Sequence, residues 1–153
     1  MSSRYRAFRI VRARTCDLGD ALPLFGAYRR FYHRSTDPAA ARRYLSARLA
    51  RGEAILLVAY EGREPMGFTV LYTTFSSLAM RPLWILNDLY VRPPGRRRHI
   101  ATRLLDRAAA EARAAGAVGM ILDTARTNRR AQRLYAACGW TRDEKFLHYE
   151  LTL

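Results

Sequence analysis

Nine residues, LWILNDLYV at 83–91, limit the fold more than any other stretch of this chain. They are nearly continuously apolar, as expected of a strand covered on both faces. The next segment places Ile100, Leu104, Leu105, Ala108 and Ala112 on one face at helical spacing. Gly116 stands where that helix should stop, and VGMILDT at 118–124 is a second buried strand. Strand, helix and strand in that order make a crossover connection, which requires a parallel pair.

The remaining segments fill in a sheet around this unit. Residues 8–14 alternate like an edge strand. Residues 17–33 read as a helix with an acidic start and a basic end, which suits the helix dipole, although Pro23 and Gly26 should weaken or bend it. Asp37 is expected to cap a second helix ending near Gly52. ILLVAY (55–60), the turn EGRE and PMGFTVLYTTF (65–75) read as a hairpin. Asn128 is expected to cap a short helix whose face is Ala131, Leu134, Tyr135 and Cys138, stopped by Gly139. FLHYELTL (146–153) alternates and is expected to close the sheet. The order β-α-α-β-β-β-α-β-α-β predicts an α/β fold: one domain over 1–153, with a mixed sheet of about six to seven strands and helices on both faces.

The 153 residues are enough for one domain with a core of its own. Two cysteines, Cys16 and Cys138, make no disulfide framework and no metal-ligand spacing, and Cys138 reads as a small core residue. His33, His99 and His148 are equally far from a metal pattern. The start, MSSRYRAFRIVRAR, has no apolar segment of a signal peptide, and no run approaches a membrane span. The expectation is a cytoplasmic protein with no membrane partner.

Charge is the unusual property. There are 27 basic residues against 13 acidic ones, a net charge of +14, and Lys145 is the one lysine. The arginines are scattered from position 4 to position 142, which argues against a basic tail. Such a balance suits an anionic partner: nucleic acid, a membrane surface or a polyphosphate ligand. Arg96, Arg97 and Arg98 narrow that choice, because they stand between the end of a strand and the start of a helix. Open α/β sheets bind ligands there. The first turn of a helix carries unpaired N–H groups and a partial positive charge, so arginines beside it are in conflict with the dipole unless an anion joins them. Neither a P-loop nor a G-x-G-x-x-G fingerprint is present.

This loop and the segments after it resemble the GNAT family, the Gcn5-related N-acetyltransferases. That family carries [QR]-x-x-G-x-[GA] at this junction; here it reads Arg96-Arg97-Arg98-His99-Ile100-Ala101, followed by Leu104 and Leu105. A second family signature, N-x-x-A-x-x-[LF]-Y-x-x-x-G-[FW], is matched by Asn128, Ala131, Leu134, Tyr135, Gly139 and Trp140. The order of elements matches as well, and the first 50 residues match in architecture alone. His99 stands where the family prefers glycine, which tolerates positive φ and close approach of a phosphate. The histidine is expected to add a donor to a phosphate.

The resemblance implies direct transfer of an acetyl group from acetyl-CoA to a primary amine of a small molecule or peptide, and is compatible with a homodimer. It assigns the pyrophosphate to Arg96, Arg97, Arg98, His99, Ile100 and Ala101, with Thr102 and Arg103 beside them. Leu89, Tyr90 and Val91 would meet the pantetheine arm, with Asn128 reaching it from the other side. An amine of ordinary pKa is neutral in roughly one molecule in 2,500 at pH 7, so a base is needed. Asp88 is the candidate, in the middle of an apolar strand, and the bland alternative is a carboxylate paired to an arginine. Many relatives carry glutamate one position earlier, where this chain has Asn87; strand neighbours face opposite ways, so both line one groove only across a bulge. Glu53, Asp143 and Glu144 are weaker acids for the acceptor site. Tyr135 matches the family's general acid for the departing thiolate, a transfer uphill by about 2 kcal/mol, and is otherwise a core tyrosine.

The acceptor would enter over the first two helices and the loop around 142–145, where Tyr28, Phe31, Tyr32 and His33 form either an aromatic cluster or a helix's core face. With a charge of +14 a polycation is poorly steered, and an acceptor with a neutral or anionic part fits better. The rival readings are a basic nucleic-acid-binding domain, for which no helix-turn-helix, zinc finger or RNA-binding motif is found, and a cofactor-binding homologue without turnover.

Overall fold

The computed structural model describes residues 8–153, so the first seven residues of the expected 1–153 domain lie outside the described residues. These residues fall into two compact units divided after Asp123. The larger unit holds one sheet in the order β1-β2-β3-β4-β5: β1 Phe8–Arg12, β2 Ala54–Glu61, β3 Glu64–Ser76, β4 Arg81–Val91 and β5 Gly119–Ile121. The first four run antiparallel, and β5 pairs parallel to β4, as the crossover demands. The helices α1 (Leu18–Phe31), α2 (Pro38–Ala50) and α3 (Ile100–Ala114) belong to this unit, and α4 (Arg129–Ala137) to the other.

Helix α1 runs unbroken through Pro23 and Gly26 and buries Leu18, Ala21, Leu24 and Phe25. Asp37 caps α2 as expected, accepting from the backbone N–H groups of Ala39 and Ala40 at 3.0 and 3.1 Å. The core of this face joins those α1 residues and Leu45 to Leu56, Val58, Phe68 and Val70 of the sheet. Helix α3 buries Ile100, Leu104, Leu105, Ala108 and Ala112, the face expected from their spacing, and touches every strand of the sheet. Strand β2, between α1–α2 and α3, is buried along almost its whole length and shows no alternation.

Three expectations change. Strand β4 is not covered on both faces: Trp84, Leu86 and Asp88 are buried, whereas Leu83, Ile85, Leu89, Tyr90 and Val91 are half-buried and Asn87 is exposed. The strand expected over 118–124 shrinks to Gly119–Ile121 and is not buried, because it has only the three rungs from Leu83 to Ile85 to pair with. Residues 146–153 form no strand, so the sheet has five strands among the described residues. Alternation gives a segment an apolar side, but a strand forms only where a neighbour completes its ladder.

Two glycines of the larger unit should respond to alanine in opposite ways. A Cβ on Gly67 would lie 2.7 Å from the Tyr90 carbonyl oxygen, which is backbone and cannot step aside. On Gly26, in the middle of α1, it would meet only the Arg30 guanidinium at 3.6 Å and the Thr36 methyl at 3.9 Å. In denaturant titrations Gly67→Ala should lose about 1–3 kcal/mol, and Gly26→Ala should gain about 0.5–1 kcal/mol.

Candidate functional site

The three arginines at the head of α3 are not equivalent. Arg96 donates its Nε to the Val91 carbonyl at 3.0 Å and holds its guanidinium 6.0 Å from the centre of the Tyr90 ring. Arg98 makes a bidentate pair with Glu61 at 2.9 and 2.6 Å and lies 4.7 Å over the Phe8 ring. Arg97 is exposed, at a positive φ of 60°. Two of the three charges are thus bound to the sheet, and the third faces water beside the helix start.

The backbone of this turn argues more strongly for an anion site. His99 takes the left-handed conformation, φ 60° and ψ 17°, and stands at the cap of α3 with no side-chain bond to the helix. It adopts the geometry that favours glycine, at a cost of about 1 kcal/mol. Ile100, Ala101 and Thr102 follow as the first turn, whose N–H groups have no helical carbonyl to reach, and Arg103 is the first to bond back, to the His99 carbonyl at 3.0 Å. Gly95 is buried under this turn, and a Cβ there would press on Ile100, Val91 and Met66 at 3.0–3.2 Å. Glu64 also pairs with Arg92, so the junction is pinned twice to the β2–β3 hairpin.

Strand β4 leads into that turn with one side open. Its pairing to β5 stops at Ile85, so Leu86 to Val91 have no strand on that side among the described residues. Backbone groups along such an edge bond a ligand as they would a strand. Leu89, Tyr90 and Val91 lie on it, although the Val91 carbonyl already accepts from Arg96.

Asp88 is where the ladder to β3 slips. Val70 pairs with Asp88 and Leu71 with Leu86, which leaves Asn87 as the extra residue of a bulge. The bulge removes the conflict between neighbours on a strand: the Asn87 amide donates to Asp88 Oδ1 at 3.2 Å, so both side chains reach one side. Asp88 is only 7% exposed. Burial pushes its carboxyl above the usual carboxylate range, and hydrogen bonds from Tyr28 and Asn87 pull it part of the way back. Both partners are neutral, and among the described residues no arginine pairs with Asp88. Behind it, Thr69 donates to the Asp88 carbonyl at 2.7 Å.

Sequence reasoning missed Tyr72, Tyr44 and Glu61. The Tyr72 hydroxyl lies 2.6 Å from that of Tyr44, and burial, this bond and the Asp88 charge push it up. Glu53 stands 2.7 Å from Arg48 Nε, an ion pair by distance whose N–H is not aimed at the oxygen. Each of these partners is far away in the chain, so no local pattern marks them. Only the alternation of β3, which puts Phe68, Val70 and Tyr72 on one face, could have pointed to Tyr72.

In the smaller unit Asn128 caps α4, accepting from the Ala131 N–H at 3.2 Å. The Tyr135 ring lies 6.1 Å from that of Trp140, and its carbonyl accepts from the Trp140 N–H at 3.0 Å. Asp143 Oδ1 accepts from the N–H groups of Lys145 and Phe146. Among the described residues no group of acids, histidines and cysteines could hold a metal, and no helix is long and apolar enough to cross a membrane.

Comparison with known proteins agrees with this geometry. The model of the acetyltransferase (GNAT) family matches residues 22–140. An uncharacterized N-acetyltransferase of Bacillus subtilis, YhfO, is 42% identical over 144 residues, 94% of this chain and 97% of that protein. The crystal structure of a probable acetyltransferase is 39% identical, with a TM-score of 0.90 over 95% of this chain and 97% of its own. An aminoglycoside acetyltransferase from a soil metagenomic sample, solved with sisomicin, shares the fold at 18% identity, a TM-score of 0.81, and 95% and 96% coverage. With a turn of left-handed backbone at the head of α3, an open strand edge beside it and these relatives, the chain belongs to the GNAT family of acetyltransferases.

Proposed function

We propose that this acetyltransferase binds acetyl-CoA across the head of α3 and the open edge of β4, and moves the acetyl group directly to a primary amine. The observation that carries the reading is the left-handed turn at Arg97 and His99, which frees backbone N–H groups for a pyrophosphate at the end of a half-paired strand. His99 keeps the glycine-like geometry, which favours a working cofactor site over a disabled one. Leu89, Tyr90 and Val91 would meet the pantetheine arm, with Asn128 reaching it beyond its capping bond. Arg97 would contribute its guanidinium to the phosphates, whereas Arg96 and Arg98 would serve by holding the turn in place.

The chemistry needs a neutral amine and a leaving thiol. Asp88 takes a proton from the ammonium form of the acceptor; the amine nitrogen then attacks the thioester carbonyl carbon, the C–S bond breaks as the Tyr135 hydroxyl gives its proton to the departing sulfur, and the proton that the nitrogen loses on becoming an amide returns to the tyrosinate through water, while Asp88 releases its proton to solvent. A desolvated carboxylate held by neutral hydrogen bonds is a stronger base than an exposed one. The same burial makes Asp88 a burden on the fold. The folded chain keeps the Asp88 proton at pH values where the unfolded chain has lost it, so this group lowers stability as pH rises from the ordinary carboxylate value to the raised one.

Asp88→Asn separates the two roles. It should lower kcat by about 100-fold or more while calorimetric binding of acetyl-CoA is retained, and it should melt higher than the parent at neutral pH, with the gap closing in acid below the usual carboxylate range. A variant with normal kcat would remove Asp88 from the base role. Tyr135→Phe should lose turnover and keep acetyl-CoA binding; loss of binding instead would make Tyr135 a packing residue.

Glu61→Gln tests the turn. It breaks a charged bidentate pair without touching the cofactor surface, so it should raise the acetyl-CoA Kd by about tenfold with little change in kcat at saturation. An unchanged Kd would show that the α3 turn holds its shape without the pair.

A further inference from the structure

We propose that the acceptor is an aromatic monoamine, with its ammonium group at Asp88 and its ring against the exposed Tyr32 and Phe31 at the end of α1. This rests on the acetyltransferase reading above and narrows its acceptor.

Tyr28, Phe31 and Tyr32 are spaced for one face of α1. They make a continuous run of rings: Tyr28 to Tyr32 at 5.1 Å and Tyr32 to Phe31 at 5.2 Å, both edge-on. Its inner end is anchored, with Tyr28 at 5.8 Å from Phe68 and 6.4 Å from Tyr90, two residues beyond Asp88 on β4. Its outer end is not core, because Phe31 is 59% exposed and Tyr32 46%. Two large adjoining rings left in water, linked through Tyr28 to a buried carboxylate, form a contact surface for a flat apolar body.

Charge sets the number of ammonium groups. Residues 18–53, which carry α1 and α2, hold seven arginines against Asp20, Asp37 and Glu53. Each of those acids is engaged: Asp20 accepts from the Tyr60 hydroxyl at 3.0 Å, Asp37 caps α2, and Glu53 stands with Arg48. Among the described residues Asp88 has neutral hydrogen-bond partners and no ion pair, so one positive group can be balanced there. Further ammonium groups of a polyamine or an aminoglycoside would meet a surplus of arginine.

The test is steady-state CoA release by the purified chain with acetyl-CoA and, in turn, phenethylamine, tyramine, spermidine, sisomicin and a lysine peptide. The two aromatic monoamines should exceed the other three in kcat/KM by about tenfold or more. Phe31→Ala and Tyr32→Ala, both at exposed positions, should raise KM for phenethylamine by about tenfold and leave KM for acetyl-CoA unchanged. Tyr32→Phe should restore the parent value. Preference for spermidine, sisomicin or the peptide, or a phenethylamine KM unmoved by both alanines, overturns the aromatic class and leaves the transferase standing. Acetylation of none of the five overturns the aromatic class, and calorimetric binding of acetyl-CoA to the same chain then decides the transferase reading: binding keeps it and absence of binding overturns it.

Discussion

Strand β4 pairs with β3 along its length but with β5 over three residues, and the candidate site follows from that imbalance. A sheet can keep a strand's outer hydrogen-bonding groups satisfied only where a neighbour runs alongside. Past Ile85 no strand runs alongside among the described residues, and β4 offers an edge at the place where its chain turns into α3. The bulge at Asn87 falls on the same stretch. It breaks the period of two, so a carboxylate and an amide reach the same side of a strand that would otherwise hold them apart.

The arginine triplet shows how a protein can place positive charge beside a helix start without unfolding it. Arg98 is neutralised by Glu61, and Arg96 is tied to a backbone carbonyl and laid toward a tyrosine ring. These contacts spread the charge away from the first turn and brace the loop against the hairpin. The exposed Arg97 and the backbone N–H groups of the first turn are the groups left for the pyrophosphate in the proposed reading. The left-handed backbone at two adjacent-but-one residues, neither of them glycine, is strain that the bracing must hold.

Asp88 shows the opposite economy. A buried acid bonded by Tyr28 and Asn87 destabilises the folded chain at neutral pH. Apolar packing on both sides of the sheet outweighs it, with Phe68, Val70 and Leu71 fully buried alongside. A residue that costs stability and sits on a bulge next to an open edge is in keeping with selection for chemistry rather than for folding.

Much of this was legible from local pattern. The period of apolar residues gave α3 and its buried face, Asp37 and Asn128 announced their capping bonds, and the two signatures pointed to the family. What periodicity could not carry was pairing. Among the described residues, FLHYELTL has the alternation of a strand and no strand to pair with, and VGMILDT has the apolarity of one and three rungs. The chain by itself determined which segments can be helix or strand, because this depends on neighbours a few residues apart. Only the tertiary structure decided that Asn87 and Asp88 share a side, that Glu61 holds Arg98, and that Tyr28 bonds Asp88. Those depend on register between strands and on contacts across tens of residues, which no local spacing records.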